Sequence, residues 1–325
     1  MRKRNIILLS AAALAAALYV NNTSLLSPRP AGSPVVLAHR GLAQDYDRTG
    51  LTGDTCTASR MLPPSHDYLE NTIRSMEAAF ELGADVLELD VHPTTDGQFA
   101  VFHDWTLDCR TDGKGETRAF SMAELKKLDV GYGYTTDGGK TFPFRGQGIG
   151  LMPSLDEVLE RFPDERFHIN VKSNDPKEGE ALAAFLSALP DERRAALTVV
   201  GGDKPVQAIK QALPEARSLS KQSLTRCLLR YETLGWSGYV PEDCRSTTLL
   251  VPINLAPWLW GWPNRFLDRM DSVGTKVFLL GPYTGGGFSE GLDNPALIRG
   301  LPAGYSGGIS TDAVDQLMPL LESRG

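Results

Sequence analysis

Residues 70–91 read ENTIRSMEAAFELGADVLELDV, and within this stretch a helical pattern passes directly into a strand. The helical pattern covers residues 70–82, where apolar side chains recur with helical spacing at Ile73, Met76, Ala79 and Phe80. Residues 86–91 follow as a short apolar run, which predicts a strand. A helix that leads into a buried strand is the repeating unit of a parallel sheet covered by helices.

The same rhythm continues in both directions along the chain. Further strands are predicted at residues 35–38, 99–102, 167–171, 197–200, 218–220, 248–253, 276–280 and 308–310, with helical runs between them such as 121–128, 154–162, 205–213 and 263–273. About eight strands separated by helices predict an α/β fold, a (β/α)8 TIM barrel. Residues 42–69 have no clear periodicity, so we expect an ordered lid loop inserted after the first strand.

The N-terminal residues differ from the rest of the chain. Residues 2–4 are Arg-Lys-Arg and precede an apolar stretch over 6–20. This is the pattern of a signal peptide, and the stretch is short for a bilayer core of about 30 Å. We therefore expect residues 1–33 to be a signal peptide or an N-terminal membrane anchor plus linker, and 34–325 to be the barrel. Cleavage and retention both stay open, and a buried core helix is the minor alternative.

The charge and the cysteines of the chain indicate its cellular compartment and the classes of partner that it can bind. A net charge of -7 offers no broad basic surface, so no nucleic-acid partner is expected, and no protein partner is implied. The cysteines form no Cys-x-x-Cys pattern, which argues against zinc or thioredoxin-like chemistry. We expect export to the periplasm, or to the periplasmic face of a bacterial inner membrane. Export favours disulfides Cys56–Cys109 and Cys227–Cys244, with free buried thiols as the alternative.

Two histidines have sequence neighbours that suit phosphodiester cleavage. His39 lies in AHRG at 38–41 and His103 in VFHD at 101–104. One imidazole can take a proton from the attacking oxygen while the other gives a proton to the leaving oxygen, and nearby cations can absorb phosphoryl charge. These residues predict a phosphodiesterase.

Glu88 and Asp90 lie between the two histidines in the sequence. They are two residues apart on a predicted strand, so their side chains point to one face. Such a pair can hold a hard divalent cation through oxygen, and the cation would polarise phosphoryl oxygens. The alternative is that both carboxylates pair with cationic side chains at the barrel mouth.

The chain resembles the glycerophosphodiester phosphodiesterases, within the phosphatidylinositol-phospholipase-C-like superfamily. The shared motifs are HRG at 39–41, ENT at 70–72, GADVLELDV at 83–91, TDG at 95–97, HD at 103–104, RT at 110–111, VK at 171–172 and GISTD at 308–312. The resemblance implies a (β/α)8 barrel, one divalent cation, Ca²⁺ or Mg²⁺, and hydrolysis of glycerophosphodiesters to sn-glycerol 3-phosphate and an alcohol. By position it assigns acid–base roles to His39 and His103. It assigns phosphate contacts to Arg40 and Lys172, and metal ligands to Glu88 and Asp90.

The chain departs from the family pattern in two places. Asn170 stands where the family usually has a third acidic metal ligand; its amide oxygen suits a hard cation but removes one negative charge. We place His168 on the opposite face of that strand, as a packing residue. Residues 278–283 replace an aromatic-Thr-Val-Asn run that the family often shows, so the resemblance does not imply a headgroup.

Two other functions compete with the one that the resemblance implies. A phospholipase D-like lipid phosphodiesterase of the same barrel type, similar to the sphingomyelinase D toxins, would suit a membrane tether and a disulfide-bearing loop. A non-catalytic phosphodiester-binding protein would suit the loss of an acidic ligand at Asn170. The tryptophan-rich residues 258–262 are compatible with a pocket lining, core packing or a membrane-facing rim.

Overall fold

The structure is a computed structural model that describes residues 2–27, 32–52, 55–285 and 290–323. The strands in these residues are β1 Val35–His39, β2 Val86–Pro93, β3 Phe99–Val101, β4 Arg166–Val171, β5 Leu197–Gly201, β6 Arg217–Ser220, β7 Thr248–Pro252, β8 Lys276–Leu280 and β9 Gly308–Thr311. The helices are α1 Arg2–Asn22, α2 Ile73–Glu81, α3 Met122–Leu125, α4 Leu155–Arg161, α5 Pro176–Ser187, α6 Asp191–Ala195, α7 Asp203–Ala212, α8 Lys221–Leu234, α9 Asn264–Asp271, α10 Pro295–Arg299 and α11 Val314–Glu322.

All strands except β3 are parallel neighbours in a nearly closed barrel. Their order is β6-β5-β4-β2-β1-β9-β8-β7, and β3 pairs antiparallel with β2. Since β9 pairs with β1, the chain returns to its first strand, which confirms the predicted TIM barrel. In the described part of the chain, no backbone ladder joins β6 to β7, and we call this boundary the seam.

A side-chain hydrogen bond crosses the seam, and a disulfide lies in the connection between its two strands. The hydroxyl of Thr247, just before β7, donates to the carbonyl oxygen of Ser218 in β6 at 2.6 Å. Cys227 in α8 forms a disulfide with Cys244, which ends the short turn before β7. The other disulfide joins Cys56 to Cys109. Both predicted pairings are therefore confirmed.

The alternation of side chains on β2 separates the hydrophobic core from the barrel interior. Leu87 and Leu89 are fully buried in the main core cluster together with Met76 of α2. Glu88 and Asp90 point to the other face, because successive residues of a strand alternate. The core thus lies between sheet and helices, and the polar face of β2 lies inside the barrel.

His168 corrects one expectation about β4. It shares a face with Asn170, because residues two apart on a strand point the same way, so its placement on the opposite face was wrong. The imidazole lies inside the barrel toward the amino ends of the strands and meets Phe278 edge-on, with ring centroids 5.4 Å apart. Burial lowers the pKa of His168 to about 3, so it is neutral.

Residues 42–52 and 55–69 are ordered by contacts of their own. The Gln44 side-chain amide donates to the carbonyl oxygens of His66 and Tyr68, at 2.9 and 2.7 Å. Tyr46 and Met61 form an antiparallel bridge. Residues 53–54 lie outside the described residues, and movement of this segment as a lid stays a prediction.

Helix α1 lies outside the barrel. The part Arg4–Asn22 spans 19 residues with a mean hydropathy of 1.5, and none of it is buried. A buried core helix was therefore the wrong alternative. Residues 28–31, which belong to the predicted linker, lie outside the described part of the chain.

Candidate active site

The residues predicted to form a site meet at the carboxyl ends of the parallel strands. They are His39 at the end of β1, Arg40 directly after it, Glu88 and Asp90 on β2, His103 shortly after β3, Asn170 on β4 and Lys172 directly after β4. The amide of Phe102 donates to the carbonyl oxygen of Asp90 at 3.0 Å, which brings His103 beside β2. Barrels of this type carry their sites at this end.

A tight turn after β1 aims Arg40 into the site. Arg40 has a φ of 62° and Gly41 a φ of 82°, both in the left-handed region that favours glycine. A Cβ on Gly41 would lie 2.6 Å from the Ser75 hydroxyl, so only glycine lets the turn approach α2 this closely. The amide of Arg40 donates to the carbonyl oxygen of Glu88 at 2.9 Å, which fixes the turn to β2. Strain of this kind is typical of functional sites.

His39 is held by a carboxylate from the last strand. Its Nδ1 lies 2.5 Å from Asp312 Oδ1, and Arg40 Nε donates to its Nε2 at 3.2 Å. These contacts assign the ring proton to Nδ1 and leave a lone pair on Nε2. Burial and Arg40 lower the pKa of His39, but Glu88 and Asp312 outweigh them and raise it above its ordinary value.

Asp312 is itself fixed from residues 42–52. Arg48 Nη1 donates to Asp312 Oδ2 at 2.8 Å and lies 3.3 Å from Asp293 Oδ2. Burial raises the pKa of Asp312, but His39 and Arg48 together hold it well below its ordinary range. Asp312 therefore stays ionised beside His39.

His103 has a similar arrangement on the other side of the site. Its Nδ1 lies 2.7 Å from Asp104 Oδ1. Burial and Arg40 lower the pKa of His103 to about 4, the opposite direction from His39. Two imidazoles whose pKa values are driven apart meet the condition for a paired acid and base.

The carboxylate of Asp90 contacts both Arg40 and Lys172. Its Oδ2 lies 3.2 Å from Arg40 Nε and accepts from the Asn71 amide at 3.1 Å. Its Oδ1 lies 3.2 Å from Lys172 Nζ and accepts from the Asn170 amide at 3.0 Å. Although burial favours the neutral acid, Lys172 and its neighbours hold the pKa of Asp90 well below its ordinary value. Arg40 and Lys172 are thus positioned at the mouth by one buried carboxylate.

Glu88 differs from Asp90 because one of its carboxylate oxygens has no hydrogen-bond partner. Its Oε2 is buried without a hydrogen-bond partner and lies 3.7 Å from His39 Nε2. Burial and Asp90 raise the pKa of Glu88 to about 7. Within the described residues, no group of three or more His, Cys, Asp or Glu side chains is placed to hold a metal ion. Asp90 of β2 and Asn170 of β4 are register partners beside Glu88, and a buried carboxylate oxygen without a hydrogen-bond partner is chemically suited to a hard cation.

Arg110 connects the two halves of the site. It is 2% exposed. Its Nε donates to Asp104 Oδ2 at 3.0 Å, and its Nη1 lies 3.0 Å from Glu70 Oε2. Glu70 Oε1 accepts from Arg40 Nη1 at 3.1 Å. A single buried guanidinium therefore supports both the carboxylate that holds His103 and the one that holds Arg40.

The Cys56–Cys109 disulfide lies beside Arg110. The next residue after Cys56 is Thr57, whose hydroxyl oxygen accepts from Arg110 Nη2 at 2.5 Å. Arg110 itself directly follows Cys109. The disulfide thus fixes both partners of this hydrogen bond.

Several supporting residues had no role in the sequence-based prediction. Asp104, Arg110 and Asp312 lie inside the motifs quoted above, and their closeness to histidines in those motifs was the available signal. Arg48 lies in a segment without periodicity, so no local pattern indicates its contact with Asp312.

A known protein family matches the part of the chain that contains most of the site residues. The model of the glycerophosphoryl diester phosphodiesterase family matches residues 39–187, which contain both histidines, both carboxylates of β2 and Lys172. Residues 39–187 belong to the glycerophosphoryl diester phosphodiesterase family. The predicted family resemblance is confirmed.

Curated relatives carry the same family name. A glycerophosphodiester phosphodiesterase of Caldanaerobacter subterraneus is 44% identical over 108 residues, which are 33% of this chain and 41% of that protein. One of Bacillus subtilis is 37% identical over 176 residues, which are 52% of this chain and 56% of that protein. The chain therefore spans about half the length of these relatives.

Solved structures from this family share the fold. The glycerophosphoryl diester phosphodiesterase domain of an uncharacterized Mycobacterium tuberculosis protein aligns with a TM-score of 0.62 at 17% identity, over 90% of this chain and 100% of that one. A glycerophosphodiester phosphodiesterase of Agrobacterium tumefaciens aligns with a TM-score of 0.56 at 22% identity, over 89% and 99%. At such identities the alignments support the barrel alone.

Proposed function

We propose that the protein is a phosphoric diester hydrolase that converts glycerophosphodiesters to sn-glycerol 3-phosphate and an alcohol. The arrangement of His39 and His103 carries the proposal, because a carboxylate fixes Nδ1 of each ring at one barrel mouth. A phosphodiesterase of Oleispira antarctica with the same fold, at a TM-score of 0.54 and 20% identity, was solved in complex with the product sn-glycerol-3-phosphate. That product supports the proposed substrate class.

The residues of the site supply the steps of the reaction. Arg40 and Lys172 bind the phosphoryl oxygens and absorb their charge. One histidine takes the proton of the neighbouring glycerol hydroxyl, which attacks phosphorus, while the other protonates the departing alcohol oxygen. A cyclic phosphate results. Water then opens it, and the two histidines exchange roles.

We propose that Glu88, Asp90 and the Asn170 amide oxygen hold one divalent cation, Ca²⁺ or Mg²⁺. When bound, the cation supplies Lewis-acid polarisation of a phosphoryl oxygen. Glu88 supports this assignment because its buried Oε2 has no hydrogen-bond partner. Asn170 contributes no charge, so we expect weak binding.

Replacing Asn170 by aspartate is expected to tighten binding of Ca²⁺ or Mg²⁺ by roughly tenfold, because affinity at oxygen sites rises with ligand charge. Calorimetric titration of the metal-stripped protein measures the change. Glu88→Gln should weaken binding, and Asn254→Asp, the same substitution at an exposed position, should leave it unchanged. Equal affinities for Asn170→Asp and the unsubstituted protein would contradict the assigned ligand set.

The proposed activity is tested by phosphorus NMR of the oxidised protein with glycerophosphocholine and glycerophosphoethanolamine. We expect the glycerol 3-phosphate signal with Ca²⁺ or Mg²⁺ and its loss with chelator. Turnover of intact phospholipid alone would favour the phospholipase D-like enzyme. Binding without product under either cation would favour a phosphodiester-binding protein.

We expect the two disulfides to differ in their effect on activity. Replacing Cys56 and Cys109 by alanine should lower kcat, because Thr57 and Arg110 lose their fixed spacing. Replacing Cys227 and Cys244, the matched control, should leave kcat nearly unchanged. Both variants should lose about 2–4 kcal/mol of unfolding free energy in denaturant titrations. Equal kcat values for the two variants would show that the Cys56–Cys109 disulfide does not support the site.

We also propose that the protein is exported, to the periplasm or to the periplasmic face of a bacterial inner membrane. Two disulfides and an apolar N-terminal helix support this compartment. Fractionation of cells tests it, and recovery of reduced protein from the cytoplasm would contradict it.

A further inference from the structure

The end of α1 is fixed to the barrel by polar contacts. Arg269 of α9 is 8% exposed. It donates from Nη1 to Asn22 Oδ1 at 3.1 Å and from Nη2 to the carbonyl oxygen of Asn21 at 2.8 Å. The side-chain amides of Asn21 and Asn22 donate to the carbonyl oxygen of Trp236 at 3.0 and 2.8 Å. We call this set of residues the clamp.

The helix runs into the clamp without a break. The amide of Thr23 donates to the carbonyl oxygen of Tyr19 at 2.8 Å, which continues the helical pattern. After the turn, the hydroxyl of Ser24 donates to the carbonyl oxygen of Gly261 at 2.7 Å. The direction of α1 relative to the barrel is therefore set by the fold and not by a flexible tether.

Exposed aromatic and apolar side chains occur at the clamp residue Trp236, on α8 and in the segment that contacts α8 through Trp260. They form a surface that we call the anchor face, which consists of Leu229, Leu234, Trp236, Tyr239, Trp258 and Trp260. Trp258 is 78% exposed. The indole of Trp260 donates to the carbonyl oxygen of Glu232 in α8 at 2.9 Å, which keeps this part of the chain against α8. Large apolar side chains grouped in this way mark an interaction surface.

The chemistry of the anchor face points to a lipid surface. Trp and Tyr are the residues enriched where membranes meet water. The candidate membrane-spanning segment of α1 is Arg4–Asn22, which has 19 residues including its polar ends, none of them buried. At about 1.5 Å per residue the whole segment is about 28 Å long and its apolar stretch over residues 6–20 is about 22 Å long, a length that a bilayer core of about 30 Å accommodates by thinning locally.

Most charged side chains beside the anchor face form ion pairs within the protein. Arg226 and Arg230 lie 3.3 and 2.6 Å from the carboxylate of Asp243. Arg245 lies 3.4 Å from Glu242 Oε2. The surface therefore meets lipid mainly through its rings and apolar side chains.

We propose that α1 is retained as a membrane anchor and that the anchor face lies in the headgroup region of the same bilayer. The clamp couples these two membrane contacts, because it joins the end of α1 to Trp236 of the anchor face. The barrel is then seated on the membrane in a fixed orientation.

The test uses the full chain in vesicles of phosphatidylcholine brominated near the headgroup end of its acyl chains. Bromine quenches tryptophan emission on contact. Trp258→Phe is compared with Trp105→Phe, a matched control at the barrel mouth, where Trp105 stacks on Arg118 at 4.6 Å. We expect the quenched fraction of emission to fall in the first variant and to rise in the second. Equal fractions in the two variants would overturn the proposal.

Two further measurements address the anchor and the clamp. Mass analysis of the mature chain should find residues 1–22 in the membrane fraction, and a soluble chain without them would overturn the proposal. Arg269→Met should lower quenching while α1 stays inserted, whereas Arg265→Met should not. If Arg269→Met fails to fold, the tryptophan pair still decides. Crosslinked copies of the chain without quenching would show that a second copy covers the face. No readout depends on hydrolysis.

Discussion

Replacing His39 or His103 by alanine is expected to lower kcat on glycerophosphodiesters by about 10²–10⁴-fold, the usual contribution of a positioned acid or base. Each imidazole is fixed through Nδ1, by Asp312 or by Asp104, so Nε2 is the nitrogen that we expect to exchange protons with substrate. Alanine removes that nitrogen. The rate is measured by release of glycerol 3-phosphate under saturating substrate.

His66→Ala is the matched control, because His66 lies in the segment over residues 42–69 and contacts Gln44. We expect it to keep most of the activity. Circular dichroism and melting temperature show whether each alanine variant folds. Near-normal turnover by a folded variant of either His39 or His103 would refute the acid–base assignment.

Replacing Arg110 by methionine is expected to cost about 3–5 kcal/mol of unfolding free energy, because buried carboxylates then lose their cation. Asp104 and Glu70 both contact this guanidinium. The same substitution should lower kcat, since His103 and Arg40 lose the carboxylates that hold them in place. Denaturant unfolding and steady-state kinetics measure the two effects separately.

Two variants calibrate the Arg110 result. Arg74→Met removes an exposed ion pair with Asp67 at 3.3 Å, and surface pairs contribute about 0–1 kcal/mol. Arg110→Lys keeps the charge but cannot reach both carboxylates with a planar fork. We expect it to recover part of the stability and little of kcat. A loss for Arg110→Met no larger than that for Arg74→Met would show that Arg110 is not a central support.

The local patterns of the sequence predict the barrel because strand and helix formation depend on nearby residues. The strand predicted at 86–91 is β2, Val86–Pro93, and the helix predicted at 154–162 is α4, Leu155–Arg161. The helix predicted at 121–128 shortens to α3, Met122–Leu125, and ends in a turn. Glu88 and Asp90 were found for the same reason, since their spacing on one strand determines their common face.

Long-range support could not be predicted from these patterns. Asp312 is 273 positions from His39, and the barrel brings them together only when β9 pairs with β1. The supporting role of Arg110 depends on side-chain contacts with Thr57, Glu70 and Asp104, which have no common spacing. His168 shows a different failure: the period of a strand was misapplied, although the sequence contains the information.

The seam between β6 and β7 has a consequence for motion in solution. Without a ladder, the backbone amides that border it exchange with deuterated water through small local openings, and they should be the first in the barrel to do so. The Cys227–Cys244 disulfide limits how far these openings extend, so reduction should speed exchange there selectively. β1 and β2 lie at the centre of the strand order, farthest from the seam. The protein can therefore open locally along the seam while β1 and β2, which carry His39, Glu88 and Asp90, keep their backbone hydrogen bonds.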